Sequence, residues 1–196
     1  MRILLFLMGL GISFGAMATP GDLKIYGKDA PMQMYLFTSF TCPHCATFHK
    51  QVFPAVKKEY VDTGKVQLTV VDLIGSQNAL LATTIVRCVD GKNADNLEDE
   101  LYENQHKWMH KDLPDAQKTI KSYAKRHGIT EDQLKLCLED KKMQQEMWDR
   151  RRNLANLYHA TSTPSLILRK GSRVHVWKGG DKKEIMENLK EAFEDE

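Results

Sequence analysis

Two cysteines separated by two residues, in Cys42-Pro43-His44-Cys45, carry the most specific chemistry in this chain. An apolar run rich in aromatics, Tyr35 to Phe40, ends at Thr41, the thiols follow, and a helix-compatible stretch begins at once. That spacing at a strand-to-helix junction is the pattern of a redox dithiol. A thiolate is the nucleophile in disulfide exchange, and a free cysteine with a pKa near ~8.5 is mostly protonated at neutral pH. A sulfur just ahead of a helix meets unpaired N–H groups and the positive end of the helix dipole. His44, when protonated, adds a cation on the same side. This stabilisation acts on the reduced protein, so it makes a Cys42–Cys45 disulfide ready to accept electrons from other thiols. A zinc half-site would need two further ligands nearby, and a purely structural bridge across so tight a loop is rare.

The elements that must position this motif can be read from periodicity. Leu23 to Tyr26 suits a brief edge strand, and Met34 to Phe40 a buried one. Pro43 falls where the first turn of a helix tolerates a missing N–H. The helix it opens carries Phe48, Val52 and Val56 at i, i+4 and i+8, with a kink expected at Pro54 and an end at Gly64. Val66 to Ile74 reads as a strand covered on both faces. From Gln77 to His159 there is no strand signal. Helical segments are expected over Ala79 to Val89, Leu97 to His110, Asp115 to His127, and in one long run from Glu131, opened by a capping box of Thr130 and Gln133. Arg150, Arg151 and Arg152 read as a solvated helix face. Strand signals return as a hairpin, Ser165 to Leu168 and Val174 to Trp177, turning at Lys170-Gly171-Ser172. A last helix starts at Asp181 and Glu184 and carries Ile185, Leu189 and Phe193.

With 28 basic and 26 acidic residues the chain offers no field for nucleic acid or anionic lipid, so neither is an expected partner. The first eighteen residues differ from the rest. Arg2 is their only charge, Ile3 to Phe14 is apolar but for Gly and Ser, and Ala16-Met17-Ala18 has small residues at both recognition positions. This predicts a secretory signal peptide cleaved after Ala18, the uncharged stretch being shorter than the ~20 residues of a spanning helix. Export places the four cysteines in an oxidising compartment, where disulfides are the default. Cys88 and Cys137, each on the apolar side of an expected helix, form the second pair. Bonded, they would staple two helices and stabilise the fold by up to about 4 kcal/mol; the alternative is two separate buried thiols. His106 and His110 with Glu103 have metal-like spacing, but a wet helix face is the preferred reading.

Pro43-His44 inside the C-x-x-C, the helical block after Val66 to Ile74, and Ala160-Thr161-Ser162-Thr163-Pro164 ahead of a hairpin together resemble the DsbA family of exported thiol-disulfide oxidoreductases. The resemblance implies an α/β thioredoxin fold with an inserted all-helical domain. Residues 19–75 would form the first part of the thioredoxin fold, 76–145 the insertion and 146–196 the second part. It further implies that Cys42 is the exposed nucleophile and Cys45 its buried partner, and that Thr163-Pro164 is a cis bond beside which substrate peptide lies. No cofactor is expected beyond the redox-active Cys42–Cys45 disulfide, and no metal. The implied partners are reduced, unfolded exported proteins and a membrane quinone-coupled oxidase, with the protein monomeric in the periplasm. Relatives often carry acids where Leu36 and His49 stand here. An isomerase or reductase of the same fold, and a periplasmic metal or peptide chaperone using the same cysteines, remain alternatives.

Overall fold

The computed structural model describes residues 23–89 and 91–194. The expected signal peptide and its cleavage site lie outside them. The element order is β1 (Lys24–Tyr26), β2 (Met32–Thr38), α1 (Pro43–Gln51), α2 (Phe53–Val56), a π-turn at Lys57–Val61, β3 (Val66–Asp72), α3 (Gln77–Cys88), α4 (Gly91–Glu103), a 3-10 turn at Gln105–Lys107, α5 (Leu113–Arg126), α6 (Glu131–Glu139), α7 (Lys141–Leu157), β4 (Ser165–Lys170), β5 (Arg173–Lys178) and α8 (Lys182–Glu194). The five strands make one sheet in the order β1-β3-β2-β4-β5, with β2 and β3 parallel and every other neighbour antiparallel. This is a thioredoxin fold with helices α3 to α7 placed between β3 and β4.

Burial follows the pattern of each strand. Met34, Leu36, Val66, Leu68, Leu166 and Leu168 form one face of the sheet, beneath Phe48 and Val52 of the first helical stretch and Ile185 and Leu189 of α8. Phe37, Val71 and Ile167 form the other face, against Leu154, Ala155 and Tyr158 from the end of α7. A third apolar cluster lies within the helices, from Leu81 and Ile85 to Trp108, Ile120 and Leu134. Phe40 and Cys45 belong to that cluster, so the dithiol sits where the sheet meets the helical lobe.

Breaks in the helices have local causes. The first helix does not run through to Val56. It stops at Gln51, because the Pro54 ring crowds the carbonyl four residues before it and leaves no N–H to bond there. The expected helix over Leu97 to His110 ends at Glu103, and a 3-10 turn follows. The long run from Glu131 is two helices: Asp140 accepts from the Met143 N–H at 2.8 Å and so caps a new start. The Thr130–Gln133 capping box is present, with both reciprocal bonds made. Gly27 turns the chain between β1 and β2 at φ 63°, and a Cβ there would fall 2.5 Å from the Val66 carbonyl oxygen, so no larger residue fits.

Candidate active site

β2 is the central strand, and it delivers the chain to the dithiol. After Thr38 the backbone turns through Ser39 to Thr41, with the Cys42 N–H donating to Ser39 O at 3.1 Å. Cys42 is the N-cap of α1 in extended conformation, and its carbonyl accepts from the N–H groups of Cys45 at 3.0 Å and Ala46 at 3.2 Å. An oxygen side chain normally caps such an end by accepting from the first turn. Here no side chain caps it and the first turn holds no acid, so the positive end of the helix faces the Cys42 sulfur.

The pair is unequal. Cys42 is half-buried and Cys45 is 1% exposed, both as thiols. Across from them the chain returns 121 residues later: the Cys42 thiol donates to the Thr163 carbonyl at 3.3 Å, and the Thr163-Pro164 bond is cis. His44 is exposed and, with Thr163 and Pro164, lines an open groove of about 500 Å³ that continues along Phe48 to Lys178 and Gly180. Pro43 is at the helix start. The six residues 42 to 45, 163 and 164 are therefore together at one end of the sheet.

Burial pushes the Cys45 thiol up to about 12. An environment that resists a thiolate at Cys45 while leaving Cys42 at a helix end separates the two sulfurs chemically.

Several residues that hold this site carry no warning in the sequence. Gln105, in the 3-10 turn after α4, is buried and donates from its amide nitrogen to Phe40 O at 2.8 Å and Cys42 O at 2.9 Å, latching the dithiol loop to the helical lobe. The Tyr102 ring stacks on Phe40 and on His49, and its hydroxyl lies 2.9 Å from that of Thr38. His49, where relatives often place an acid, pairs with Asp99 at 2.8 Å. Behind Phe40 is a buried ionic cluster. Arg87 donates to both oxygens of Asp72 at 2.7 and 2.9 Å and to both of Glu98 at 2.7 and 3.1 Å, while Lys24 reaches Glu98 at 2.9 Å. Arg151 completes it at 3.6 Å from Asp72 and is 1% exposed, so the arginine triplet is not a wholly solvated face. α7 turns Arg151 inward with Met143 and Met147, a spacing of four that was available in the sequence.

Cys88 and Cys137 are joined, with Cα atoms 5.7 Å apart, linking the end of α3 to α6. His106 and His110 are both exposed, and since α4 has ended before them they do not share a helix face.

A family model described as thioredoxin matches residues 19–192. Among curated relatives, a "Putative protein-disulfide oxidoreductase" of Rickettsia bellii is 28% identical over 147 residues, covering 74% of this chain and 54% of that protein. "Disulfide bond formation protein D" of Bacillus subtilis is 31% identical over 86 residues, covering 41% of this chain and 39% of that protein. The chain thus spans about half the length or less of these relatives. Among solved structures, Wolbachia pipientis alpha-DsbA1 superposes with a TM-score of 0.76 at 22% identity, covering 87% of this chain and 90% of that one. Oxidised BdbD from Bacillus subtilis superposes at 0.65 and 22% identity, covering 85% and 90%. The fold is therefore of the DsbA kind.

Proposed function

The chain belongs to the thioredoxin family, and we propose that it is an exported thiol:disulfide oxidoreductase that gives the Cys42–Cys45 disulfide to folding secreted proteins through a mixed disulfide. The observation that carries this reading is the asymmetric pair: Cys42 half-exposed at the N-cap of α1, 3.3 Å from the Thr163 carbonyl, with Cys45 buried behind it. The relatives named for disulfide oxidoreduction and disulfide bond formation support it.

The reaction begins with the oxidised protein. A substrate thiolate attacks the Cys42 sulfur, the Cys42–Cys45 bond breaks, and its electron pair leaves on Cys45. A second substrate thiolate then attacks the substrate sulfur of the mixed disulfide, expelling Cys42 as a thiolate that the helix end stabilises. The substrate departs oxidised by two electrons, and the protein is left as a dithiol. A membrane quinone-coupled oxidase is the proposed acceptor of those electrons. Extended substrate chain would lie in the groove beside His44, Thr163 and Pro164. Export follows from the expected leader ending at Ala18, the site of action would be the periplasm, and the protein would work as a monomer.

Incubating the oxidised protein with a reduced dithiol peptide tests this. The wild type should convert the peptide to its disulfide, Cys42→Ser should convert none, and reduced Cys45→Ser should accumulate a mixed disulfide at Cys42 when offered an oxidised peptide, releasing the peptide's other sulfur as a thiol. A protein that reshuffles scrambled substrates but oxidises no reduced peptide would replace the oxidase reading with an isomerase.

A further inference from the structure

Thr38 ends β2 and Pro43 begins α1, and the four residues between them belong to neither element. On the sheet side the last tie is the Leu73 N–H donating to Thr38 O at 2.7 Å; on the helix side the first is the Cys45 N–H donating to Cys42 O at 3.0 Å. The bridge from Ser39 to Cys42 closes on itself by one bond, from the Cys42 N–H to Ser39 O. The contact between Cys42 and the Thr163 carbonyl uses the thiol proton, which a Cys42–Cys45 disulfide does not have. Among the described residues, the only donor from another element that reaches the backbone of this bridge is Gln105, through its bonds to Phe40 O at 2.8 Å and Cys42 O at 2.9 Å.

We propose that Gln105 is a positioning residue for disulfide exchange: it fixes the backbone of Cys42 so that the Cys42–Cys45 bond keeps the direction an incoming thiolate needs. The proposal rests on the oxidase reading. In the step concerned, a bond forms between the substrate sulfur and the Cys42 sulfur as the Cys42–Cys45 bond breaks, and the electron pair of the broken bond goes to Cys45. Gln105 transfers neither electrons nor a proton.

Gln105 can hold the loop because it is itself held. Its backbone carbonyl accepts from the N–H groups of Trp108 at 3.2 Å and Met109 at 3.0 Å. Trp108 is fully buried and donates from Nε1 to Leu101 O at 3.0 Å, which ties the 3-10 turn back to α4. Asn78, at the head of α3, donates to the carbonyls of Met109 at 3.1 Å and Lys111 at 2.9 Å. The amide's orientation follows from its neighbours. Both are carbonyl oxygens, so only its nitrogen, with two protons to give, can face them. Phe40 is already pinned at its ring, which stacks on Tyr102 with centroids 4.9 Å apart. What the ring leaves open is the direction in which the backbone departs toward Cys42, and the amide fixes that. A shift of about 1 Å at a reacting atom can slow a reaction by about a hundredfold. A side chain of similar length without a donor would release this restraint and leave both carbonyls facing an apolar surface.

Exchange rates of the oxidised full-length protein test this. In Gln105→Leu, dithiothreitol should reduce the Cys42–Cys45 disulfide about tenfold more slowly than in wild type, and kcat for oxidation of a reduced peptide should fall by a similar factor with KM unchanged. Gln105→Glu sets a carboxylate against two carbonyl oxygens, but once protonated it regains one donor. Its rate relative to wild type should therefore climb as pH falls, while the ratio for Gln105→Leu stays level, a difference that a purely space-filling role would not produce. Gln105→Asn, whose shorter amide cannot span both carbonyls, serves if the leucine variant fails to fold and should be slowed less. A folded variant that reacts with dithiothreitol at the wild-type rate, a loss confined to KM for the peptide, or a glutamate ratio that does not change with pH would each overturn the proposal. If the wild type oxidises no peptide, the oxidase reading fails, while the dithiothreitol rates still decide whether Gln105 positions the pair.

Discussion

At the scale of single residues, the largest commitment in this molecule is the ionic cluster beneath the dithiol. Asp72 and Glu98 are buried carboxylates that share Arg87, and taking such charges from water costs several kcal/mol each unless every partner is in place. Burial works against the charge on Glu98, but Arg87 and Lys24 outweigh it and hold the carboxyl far below its ordinary value. A depressed folded-state pKa stabilises the fold above the unfolded value, near ~4.3, and that contribution is lost as pH falls through the folded one. Glu98→Gln should accordingly cost about 3–5 kcal/mol near neutral pH, and urea unfolding across acid pH should lose part of its dependence below about 4.3. An unchanged profile would mean the cluster does not carry this linkage. Cys42 and Cys45 were legible in the sequence because their types are chemically specific and closely spaced, whereas Thr163 and Pro164, 121 residues from Cys42 in the case of Thr163, came only from the family resemblance. Thr38, Tyr102, Gln105 and Arg87 were not: each is an ordinary residue whose meaning comes from a partner far along the chain, 64 residues in the case of Thr38 and Tyr102. Arg151 was misread because a triplet of like charges outweighed the four-residue spacing that turned it inward.

At the scale of elements, helix types and strand positions followed from periodicity, and the errors fell at breaks. Gln51 and Asp140 end helices inside patterns that continue apolar across them, so the pattern alone could not mark the stops. The chemistry that marks them, a proline three residues on and an aspartate able to cap, acts through backbone hydrogen bonding. The helical lobe is stapled by Cys88–Cys137, which closes a separation of 49 residues. Replacing both cysteines by Ala should cost up to about 4 kcal/mol if the bridge acts by restricting the unfolded chain. Chemical denaturation of the double variant, compared with wild type under oxidising conditions, measures this. Peptide oxidation should survive, since neither residue touches the dithiol loop. Gln105 joins that lobe to the loop by its two amide bonds, and Gln105→Leu should raise hydrogen exchange at the amides of Ser39 to Ala46 while leaving β2 protected. Equal protection in the variant would show that packing alone holds the loop.

At the scale of the whole molecule, the site is made by a return of the chain. Cys42 comes from the end of β2, and the carbonyl it meets belongs to residue 163, just before β4 lies down beside the same strand. The sheet is thereby closed around β2 by two neighbours of different origin, β3 close in sequence and β4 remote. That arrangement has a consequence for synthesis. As the chain leaves the ribosome, β2 and β3 can pair early, but the other edge of β2 has nothing to bind until Ser165–Lys170 has been made. Within that interval, from the emergence of residue 88 to that of residue 137, three cysteines exist and the fourth is missing, so any bond Cys88 makes then is a wrong one.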